Sequence, residues 1–347
     1  MSASERDYRM PPEWAAHQAT WLSWPHNPET WPDCLSSAQA ALAKAVEALA
    51  DGEIVHINVR SDDERRALER RFAQSVAPER IRYHAIATND AWCRDHGAIF
   101  VVERERAGER RRLVALDFRF NAWGGKYPPY DLDDAAGARM AHAIGVECVR
   151  VERVLEGGSI EVNGAGDLLT TEQCLLNPNR NPTMSRAAVE AMLEQYFGVR
   201  RVLWLGDGID GDDTDGHIDD LTRFVAEDVV VTVVEEDPRD VNFAALRDNL
   251  ERLKAMRLHD GRRLSIVELP MPAPLERAGR RLPASYANFY IGNRVVLLPT
   301  FGCDADVRAQ AILARVFAGR KIVPIDCREL VVGLGTFHCL TQQVPAL

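Results

Sequence analysis

Stretches rich in β-branched residues alternate along the chain with stretches of helical periodicity. Apolar residues at three- and four-residue spacings predict helices near residues 36–50, 62–75, 133–144, 185–197, 240–256 and 305–318. The predicted strands, which lie between turns and polar loops, are Glu53–Val59, Arg80–Ile86, Ala98–Val102, Leu113–Phe120, Cys148–Val154, Leu168–Leu176, Arg201–Leu205, Leu221–Val225, Val229–Glu235, Leu264–Leu269, Tyr286–Leu298 and Lys321–Ile325.

The ratio of strands to helices indicates the kind of α/β architecture. Strands outnumber helices about two to one, whereas a doubly wound sheet alternates one strand with one helix. From the third helix onward, helix centres are spaced by about 50–65 residues, and two to four strands follow each helix. No low-complexity tract or linker divides the chain. We therefore predict one domain, residues 1–347, built from repeated units of several strands and one helix.

Some element ends can also be predicted. Ser185 precedes one helix and Gly198 follows it, while Asp304 is a candidate cap for the helix at 305–318. The Arg-rich stretch Arg104–Arg112 lies between two predicted strands, so we expect a solvated hairpin tip there.

Composition excludes several classes of protein. The 347 residues carry 42 Lys and Arg against 52 Asp and Glu, a formal net charge of −10, and 46% are hydrophobic. These proportions are typical of a soluble globular protein. The acidic balance disfavours nucleic-acid binding, and no apolar run approaches the ~20 residues that span a bilayer. The N-terminus also lacks the basic and apolar regions of a signal peptide.

The number and spacing of the cysteines are typical of a protein in a reducing compartment. There are seven, an odd number, with no Cys-x-x-Cys pair. A disulfide framework or zinc knuckle is therefore disfavoured, and we expect a cytoplasmic protein.

The segment 206–220 is the most unusual in composition, with seven acids and one histidine in fifteen residues. Aligned as an EF-hand with Gly216 sixth, it has Gly211 first and Thr222 twelfth, so both end ligands are missing. An irregular divalent-cation site over Asp210–Asp220 and a solvated turn remain alternatives. His217 and Asp219, two residues apart before a predicted strand, are expected to face one pocket. Nearby carboxylates would raise the histidine pKa, which suits proton transfer.

Three further loops concentrate candidate side chains. Residues 89–97 contain Trp92 and Asp95, residues 155–161 place Glu156 before two glycines, and residues 120–127 contain Trp123 beside a glycine pair. Loops on rigid scaffolds commonly carry binding residues, although caps and packed turns have the same composition. The phosphate-binding patterns GxGxxG and GxxxxGK[ST] are absent.

Cys339 lies in a glycine-rich turn near the C-terminus, a poor setting for a purely structural cysteine. His338 is adjacent and should point away from it, so His217 is the more suitable base. Carboxylates oppose formation of a thiolate unless the substrate is positively charged. A guanidinium fits, because it forms paired hydrogen bonds with carboxylates and its charge stabilises a thiolate.

Motifs along nearly the whole chain resemble the agmatine deiminases, in the guanidine-modifying superfamily with arginine deiminase and peptidylarginine deiminase. The matching stretches are MPPEWAAHQATWLSWP, WCRDHG, FNAWGGKY, LEGGSIEVNG, GDDTDGHIDD, YANFYIGN and FHCLTQQ. The combination of TDGHIDD with a terminal HCxTQQ is the most specific. The approach to the cysteine reads GLGTFHC here, where the family has a sequence closer to GGGNIHC.

The resemblance implies a five-bladed α/β propeller of pseudo-fivefold, pentein-type repeats. It implies that Cys339 is the nucleophile and His217 the acid/base, that Asp95 and Asp219 grip the guanidinium, and that Glu156 lies beside His217. The implied reaction hydrolyses agmatine to N-carbamoylputrescine and ammonia through a covalent thiouronium, without metal or organic cofactor.

The substrate within the superfamily remains open at this point. Arginine differs from agmatine by a carboxylate, which an Arg or Lys would bind, and the candidate loops contain Arg94 and Lys126. A deiminase of free or peptidyl arginine is one alternative, and a non-enzymatic divalent-cation module is another. Trp92, Trp123 and Asp212 are candidates for further contacts with a small cationic guanidine. We also expect a homo-oligomer, a dimer, that contacts neither nucleic acid nor membrane.

Overall fold

The structure is a computed structural model that describes residues 7–104 and 111–347. Within these residues, five sheets share the same pattern of strand pairing. In each sheet a first strand pairs antiparallel with a second, and the second pairs parallel with a third. A parallel pair requires a crossover, and helices connect the second and third strands of every unit.

The strands are β1 (Asp7–Arg9), β2 (His17–Ser23), β3 (Ile54–Val59), β4 (Ile81–Ala85), β5 (Ile99–Arg104), β6 (Arg111–Arg119), β7 (Glu147–Val154), β8 (Glu161–Val162), β9 (Asp167–Thr171), β10 (Arg201–Leu205), β11 (Thr222–Ala226), β12 (Val229–Val234), β13 (Ser265–Pro270), β14 (Glu276–Arg277), β15 (Arg280–Arg281), β16 (Tyr290–Ile291), β17 (Val295–Thr300), β18 (Lys321–Asp326) and β19 (Thr341–Pro345). The sheet orders are β1-β5-β6-β7, β10-β9-β8, β11-β12-β13, β16-β17-β18 and β19-β2-β3-β4, with a separate β14-β15 hairpin.

The helices are α1 (Leu35–Ala50), α2 (Asp62–Phe72), α3 (Cys93–His96), α4 (Ala122–Gly125), α5 (Asp131–Asp134), α6 (Ala136–Ala143), α7 (Glu172–Leu175), α8 (Arg186–Phe197), α9 (Phe243–Ala255), α10 (Ala305–Val316) and α11 (Phe337–Leu340). None of the described helices combines the length and the apolar content that crossing a membrane requires.

One unit is assembled from both ends of the chain. The last strand, β19, pairs antiparallel with β2, and β2 pairs parallel with β3 after the crossover through α1. The residue that ends α11, Leu340, directly precedes β19, so this pairing fixes the position of the turn that contains Cys339. The five units confirm the expected α/β fold with a pseudo-fivefold repeat.

Two predicted strands differ from the structure. Leu168–Leu176 leaves the sheet at Thr171, whose hydroxyl accepts the N–H of Cys174 and caps the short helix α7. Tyr286–Leu298 is a 3₁₀ turn followed by the hairpin of β16 and β17, because residues 292–294 reverse the chain.

The predicted helix ends were right at α8, and at α10 Asp304 occupies the predicted N-cap position but makes no side-chain capping bond. Ser185 accepts the N–H of Ala188, and Gly198 adopts the left-handed conformation, with φ of 66°. The Asp304 side chain, however, caps nothing. Asp306, inside the first turn, instead accepts the backbone N–H groups of Phe301, Gly302 and Cys303.

The structure describes only the two strands that flank the predicted Arg-rich hairpin tip. Strands β5 and β6 pair antiparallel, and Arg104 is opposite Arg111, as a hairpin requires. The tip, residues 105–110, lies outside the described residues.

A short helical turn precedes the first strand of every unit, and the five turns are called the central turns below. They are α3, Gly157–Ser159, Ile218–Asp220, Tyr286–Asn288 and α11. Each central turn contacts the next in chain order, and α11 contacts α3, so the contacts run in a cycle. Side chains from separate units therefore meet at one place.

Candidate active site

Three of the predicted site residues converge on Gly158, in the second central turn. A Cβ atom there would lie 2.6 Å from His217 Nδ1, 2.9 Å from Asp95 Oδ1 and 3.1 Å from Asp219 Oδ2. All three side chains are buried, and His217 Nδ1 lies 3.8 Å from Asp95 Oδ1. The expectation that His217 and Asp219 face one pocket agrees with these distances. Its stated reason was wrong, because the backbone forms a 3₁₀ turn there and not a strand.

Asp95 is held on both of its oxygens. Oδ1 accepts the N–H of Gly158 at 3.1 Å, and Oδ2 accepts the indole N–H of Trp123 at 3.0 Å. Trp123 reaches it from a left-handed backbone conformation, with φ of 54°. Burial, with a smaller contribution from the Asp219 and Glu156 carboxylates, raises the pKa of Asp95 to about 6 despite the opposing charge of His217.

The charge of His217 depends on the same neighbours. Burial alone would lower the pKa of His217, but the Asp95 carboxylate raises it well above its ordinary value. Neither ring nitrogen has a hydrogen-bond partner among the described residues. The imidazole is thus buried, and the Cys174 thiol, which lies close to it, also raises its pKa.

Glu156 has one bound and one unbound oxygen. Its Oε1 accepts from Arg180 Nε at 2.7 Å, whereas Oε2 is buried and has no partner among the described side chains and backbone groups. Arg180 is itself fully buried and also donates to Asp215 Oδ2 at 2.5 Å. Sequence reasoning missed Arg180, although it lies in the turn-rich segment Asn177–Pro182.

Cys339 lies next to Asp219, in the fifth central turn. Its Sγ is 3.7 Å from Asp219 Oδ2 and accepts a hydrogen bond from Asn288 Nδ2 at 3.0 Å. Burial and the carboxylates of Asp219, Asp220 and Asp95 raise the pKa of the thiol well above its ordinary value. The thiol is therefore neutral at pH 7 unless a cation enters the site.

His338 was expected to diverge from Cys339 on an extended chain, but residues 337–340 form a helical turn, and both side chains approach Asp219 Oδ2. His338 Nδ1 lies 2.6 Å from Asp219 Oδ2, and its Nε2 lies 2.8 Å from Glu13 Oε2. Burial opposes ionisation of Asp219, but the hydrogen bond with His338 lowers the pKa of Asp219 below its usual value. The second oxygen, Oδ1, is buried without a partner among the described residues. Glu13 is a second residue that sequence reasoning missed.

The Asp212 side chain accepts its hydrogen bonds from within residues 206–220. It accepts hydrogen bonds from the backbone N–H groups of Thr214, Gly216 and His217, at 2.8, 3.0 and 3.2 Å. These bonds shape the loop that leads into His217. Among the neighbouring acids, Asp213 accepts from Tyr127, and Asp215 accepts from Lys126 and Arg180.

Trp92 packs against the glycine-rich segment that precedes Cys339. A Cβ atom on Gly335 would lie 2.8 Å from Trp92 Cζ3 and 3.0 Å from Cys339 Sγ, so only glycine fits between them. Trp31 stands behind Trp92, with ring centroids 5.4 Å apart, and both rings are buried. This N-terminal tryptophan therefore belongs to the core beneath the site.

Two sets of described side chains have the ligand types and separations to hold a metal ion. They are Glu156, Cys174 and His217, and Asp219, Asp220 and Cys339. Burial and the Asp219 carboxylate raise the pKa of Asp220 well above its ordinary value, and a protonated carboxyl is a poor ligand. A thiol beside a histidine and ionised acids fits nucleophilic and acid–base chemistry better.

Comparison with known proteins identifies the family. The family model of the Porphyromonas-type peptidyl-arginine deiminases matches residues 9–345. The chain belongs to this family. An agmatine deiminase of Ectopseudomonas mendocina is 37% identical, with 98% of this chain and 96% of the relative aligned.

Solved structures of the family have the same fold. An agmatine deiminase of Enterococcus faecalis superimposes with a TM-score of 0.89 at 34% identity, covering 98% of this chain and 96% of that one. A substrate-bound agmatine deiminase of C. jejuni gives 0.88 at 32% identity, covering 98% and 97%. The peptidyl-arginine deiminase family fold thus extends over essentially the whole chain.

Proposed function

We propose that this protein is an agmatine deiminase, which hydrolyses agmatine to N-carbamoylputrescine and ammonia. The convergence of His217, Asp95 and Asp219 on the side-chain-free position of Gly158, with Cys339 beside Asp219, supports this proposal most directly. A guanidinium is planar, positively charged and rich in N–H donors, which is what such a site requires. The names of the relatives point to the same substrate.

The unpaired oxygens support the binding mode. Asp219 Oδ1 and Glu156 Oε2 are buried acceptors without partners among the described residues, and such groups are expensive to desolvate. Guanidinium N–H groups between Asp95, Asp219 and Glu156 would satisfy them. Trp92 and Trp123 position the residues that would contact the substrate. Trp123 donates a hydrogen bond to Asp95, and Trp92 packs against the turn that contains Cys339.

The reaction follows in two steps. The bound cation lowers the thiol pKa, the thiol proton passes to solvent, and the Cys339 thiolate attacks the guanidinium carbon to form a C–S bond. His217 gives a proton to the departing nitrogen, and ammonia leaves a thiouronium. His217 then accepts a proton from water, which attacks the same carbon. The C–S bond breaks, the sulfur leaves as thiolate, and the hydroxyl on that carbon loses its proton to solvent, which gives the neutral urea group of the product.

Agmatine suits the site better than arginine, because the cations around it are already paired. Arg94 donates to Glu13, Arg180 to Glu156, and Lys126 to Asp215. A substrate carboxylate would have to compete with these acids. Turnover of free or peptidyl arginine is therefore the less supported alternative. The Asp210–Asp220 cation module is also less supported, since Asp212, Asp213 and Asp215 accept hydrogen bonds from protein donors.

Ammonia release by EDTA-treated protein tests this proposal. We expect release from agmatine, with a kcat/KM at least about a hundredfold above that for arginine. Cys339→Ala should abolish release, whereas Cys303→Ala, which changes a cysteine outside the central turns, should retain it. Turnover of agmatine by the Cys339 variant would contradict the covalent mechanism, and release mainly from arginine would contradict the substrate.

Three further properties stay predictions. They are a homodimer, a cytoplasmic location and a single catalytic domain over residues 1–347. A reaction without metal or organic cofactor is likewise a prediction, which the EDTA treatment tests directly.

A further inference from the structure

Four of the five central turns supply or border a group in the proposed mechanism, and Tyr286–Asn288 has no part in it so far. Its last residue, Asn288, lies two positions before strand β16. Asp220 and Cys339 lie two positions before β11 and β19 in the turns on either side. These three residues therefore occupy equivalent places in successive units.

The hydrogen bonds of Asn288 fix the orientation of its amide. Oδ1 accepts the backbone N–H of Thr336 at 3.1 Å and the hydroxyl of Thr336 at 2.8 Å. Because a backbone N–H only donates, the oxygen has to lie on that side. The amide nitrogen therefore faces the other way, where it lies 3.0 Å from Cys339 Sγ and 3.0 Å from Asp220 Oδ1.

We propose that Asn288 is a further catalytic residue, whose amide N–H donates to the sulfur of Cys339, holds it in place for attack and stabilises it as a thiolate. The proposal rests on the proposed function for the role of Cys339. It assigns to the fourth unit a hydrogen-bond donor that no other described residue supplies to the sulfur.

The charges around the sulfur explain why a donor is needed. The ionisable groups around Cys339 are Asp95, Asp219 and Asp220, with His217 next to Asp95 and His338 hydrogen-bonded to Asp219. The three carboxyls disfavour a thiolate, and burial disfavours it further. An amide donor adds no charge that would repel a guanidinium, unlike a lysine or arginine at this position. Because the same nitrogen also donates to Asp220, Asn288 ties that carboxyl to the nucleophile turn.

Alkylation of Cys339 as a function of pH tests the proposal without any substrate. Iodoacetamide labelling is quantified by mass spectrometry on the Cys339 peptide, with the exposed Cys148 as an internal reference. Asn288→Asp keeps the size of the side chain and the acceptor for Thr336 but replaces the donor with an oxygen. We expect the pH at which Cys339 is labelled at half its maximal rate to rise by about one unit or more. We also expect kcat on agmatine to fall roughly a hundredfold.

Two variants keep the test decisive. Asn293→Asp makes the same change in the same unit, where the amide binds the backbone of His17 and Gly52, and should leave the Cys339 profile unchanged. Thr336→Val keeps the backbone donor but removes the hydroxyl that orients the Asn288 amide, so it should shift the profile upward by less. This second shift decides the question if Asn288→Asp does not fold.

An unchanged profile in folded Asn288→Asp, or in Thr336→Val if the former does not fold, would overturn the proposal. So would an equal shift in Asn293→Asp. Labelling is measured without substrate, so a failure of Asn288 as the donor is separate from a failure of the proposed activity, which ammonia release reports.

Discussion

Four acids of residues 206–220, together with Glu156, fall into two groups with opposite surroundings. Asp212 and Asp215 accept hydrogen bonds from backbone N–H groups or basic side chains on both of their oxygens, and Asp213 accepts one from the Tyr127 hydroxyl. Asp219 and Glu156 are more deeply buried, yet each keeps one oxygen without a partner among the described residues. The first group forms the loop, and the second lies around His217, with a Glu156 oxygen within 4.8 Å of the imidazole and Asp219 beside Gly158.

Under the proposed function, the difference separates acids that stabilise the loop from acids that would bind the substrate. A carboxylate saturated by protein donors has its charge compensated and stabilises the fold around it. A buried carboxylate with a free oxygen destabilises the empty protein and gains most when a cation with N–H donors arrives. Acid content alone, which made the whole segment stand out, does not distinguish the two.

Removing the residue that connects the two groups should have the largest effect. Arg180 bonds Glu156 of one group and Asp215 of the other, with its side chain fully buried. In Arg180→Met both acids lose a buried partner, and we expect the free energy of unfolding to fall by about 3–5 kcal/mol. Urea denaturation measures this. Arg239→Met, which removes an exposed ion pair with Asp237, is the control and should leave the urea midpoint unchanged.

Neutralising one acid from each group should separate them by activity. Asp219→Asn removes a charge beside the reacting sulfur, so kcat/KM on agmatine should fall roughly a hundredfold to a thousandfold. Asp213→Asn, in the loop group, should leave kcat/KM within about twofold. Steady-state ammonia release measures both. Equal losses in the two variants would show that the acidic segment acts as one unit.

The pH dependence of binding should show the smallest effect. Because the pKa of Asp95 is raised to about 6, this carboxyl is protonated below that pH in the empty site and has to lose its proton to bind a cation. The affinity of Cys339→Ala for agmatine should thus fall by up to about tenfold per pH unit below 6 and level off above it. Calorimetric titration measures this. A constant affinity across that range would show that Asp95 is already ionised in the empty site.

The controls for this titration come from neighbouring groups. Asp219 has a lowered pKa and His217 a strongly raised one, so neither should change its charge near pH 6. An added Asp95→Asn substitution should weaken binding and remove its pH dependence. A pH dependence that persisted in this double variant would have another source.

The sequence determined the elements and the chemistry because both depend on local patterns. Helical spacing located α8, α9 and α10, and β-branched runs located most strands. The unusual segments containing Cys339, His217 and Asp95 were recognisable from composition and motifs. The strand β2 was missed, since its sequence around Trp21 has no simple alternation and its pairing with β19 joins opposite ends of the chain.

Tertiary structure alone decided which of these groups meet and which polar atoms stay unpaired. Arg180, Glu13 and Asn288 lie in ordinary-looking turns, and only folding brings them against Glu156, His338 and Cys339. Composition marked seven acids in residues 206–220 as alike, but hydrogen-bond donors from other units set them apart. The physical reason is that burial and hydrogen-bond saturation depend on contacts between distant segments, whereas the spacing of residue types along the chain reports only local geometry.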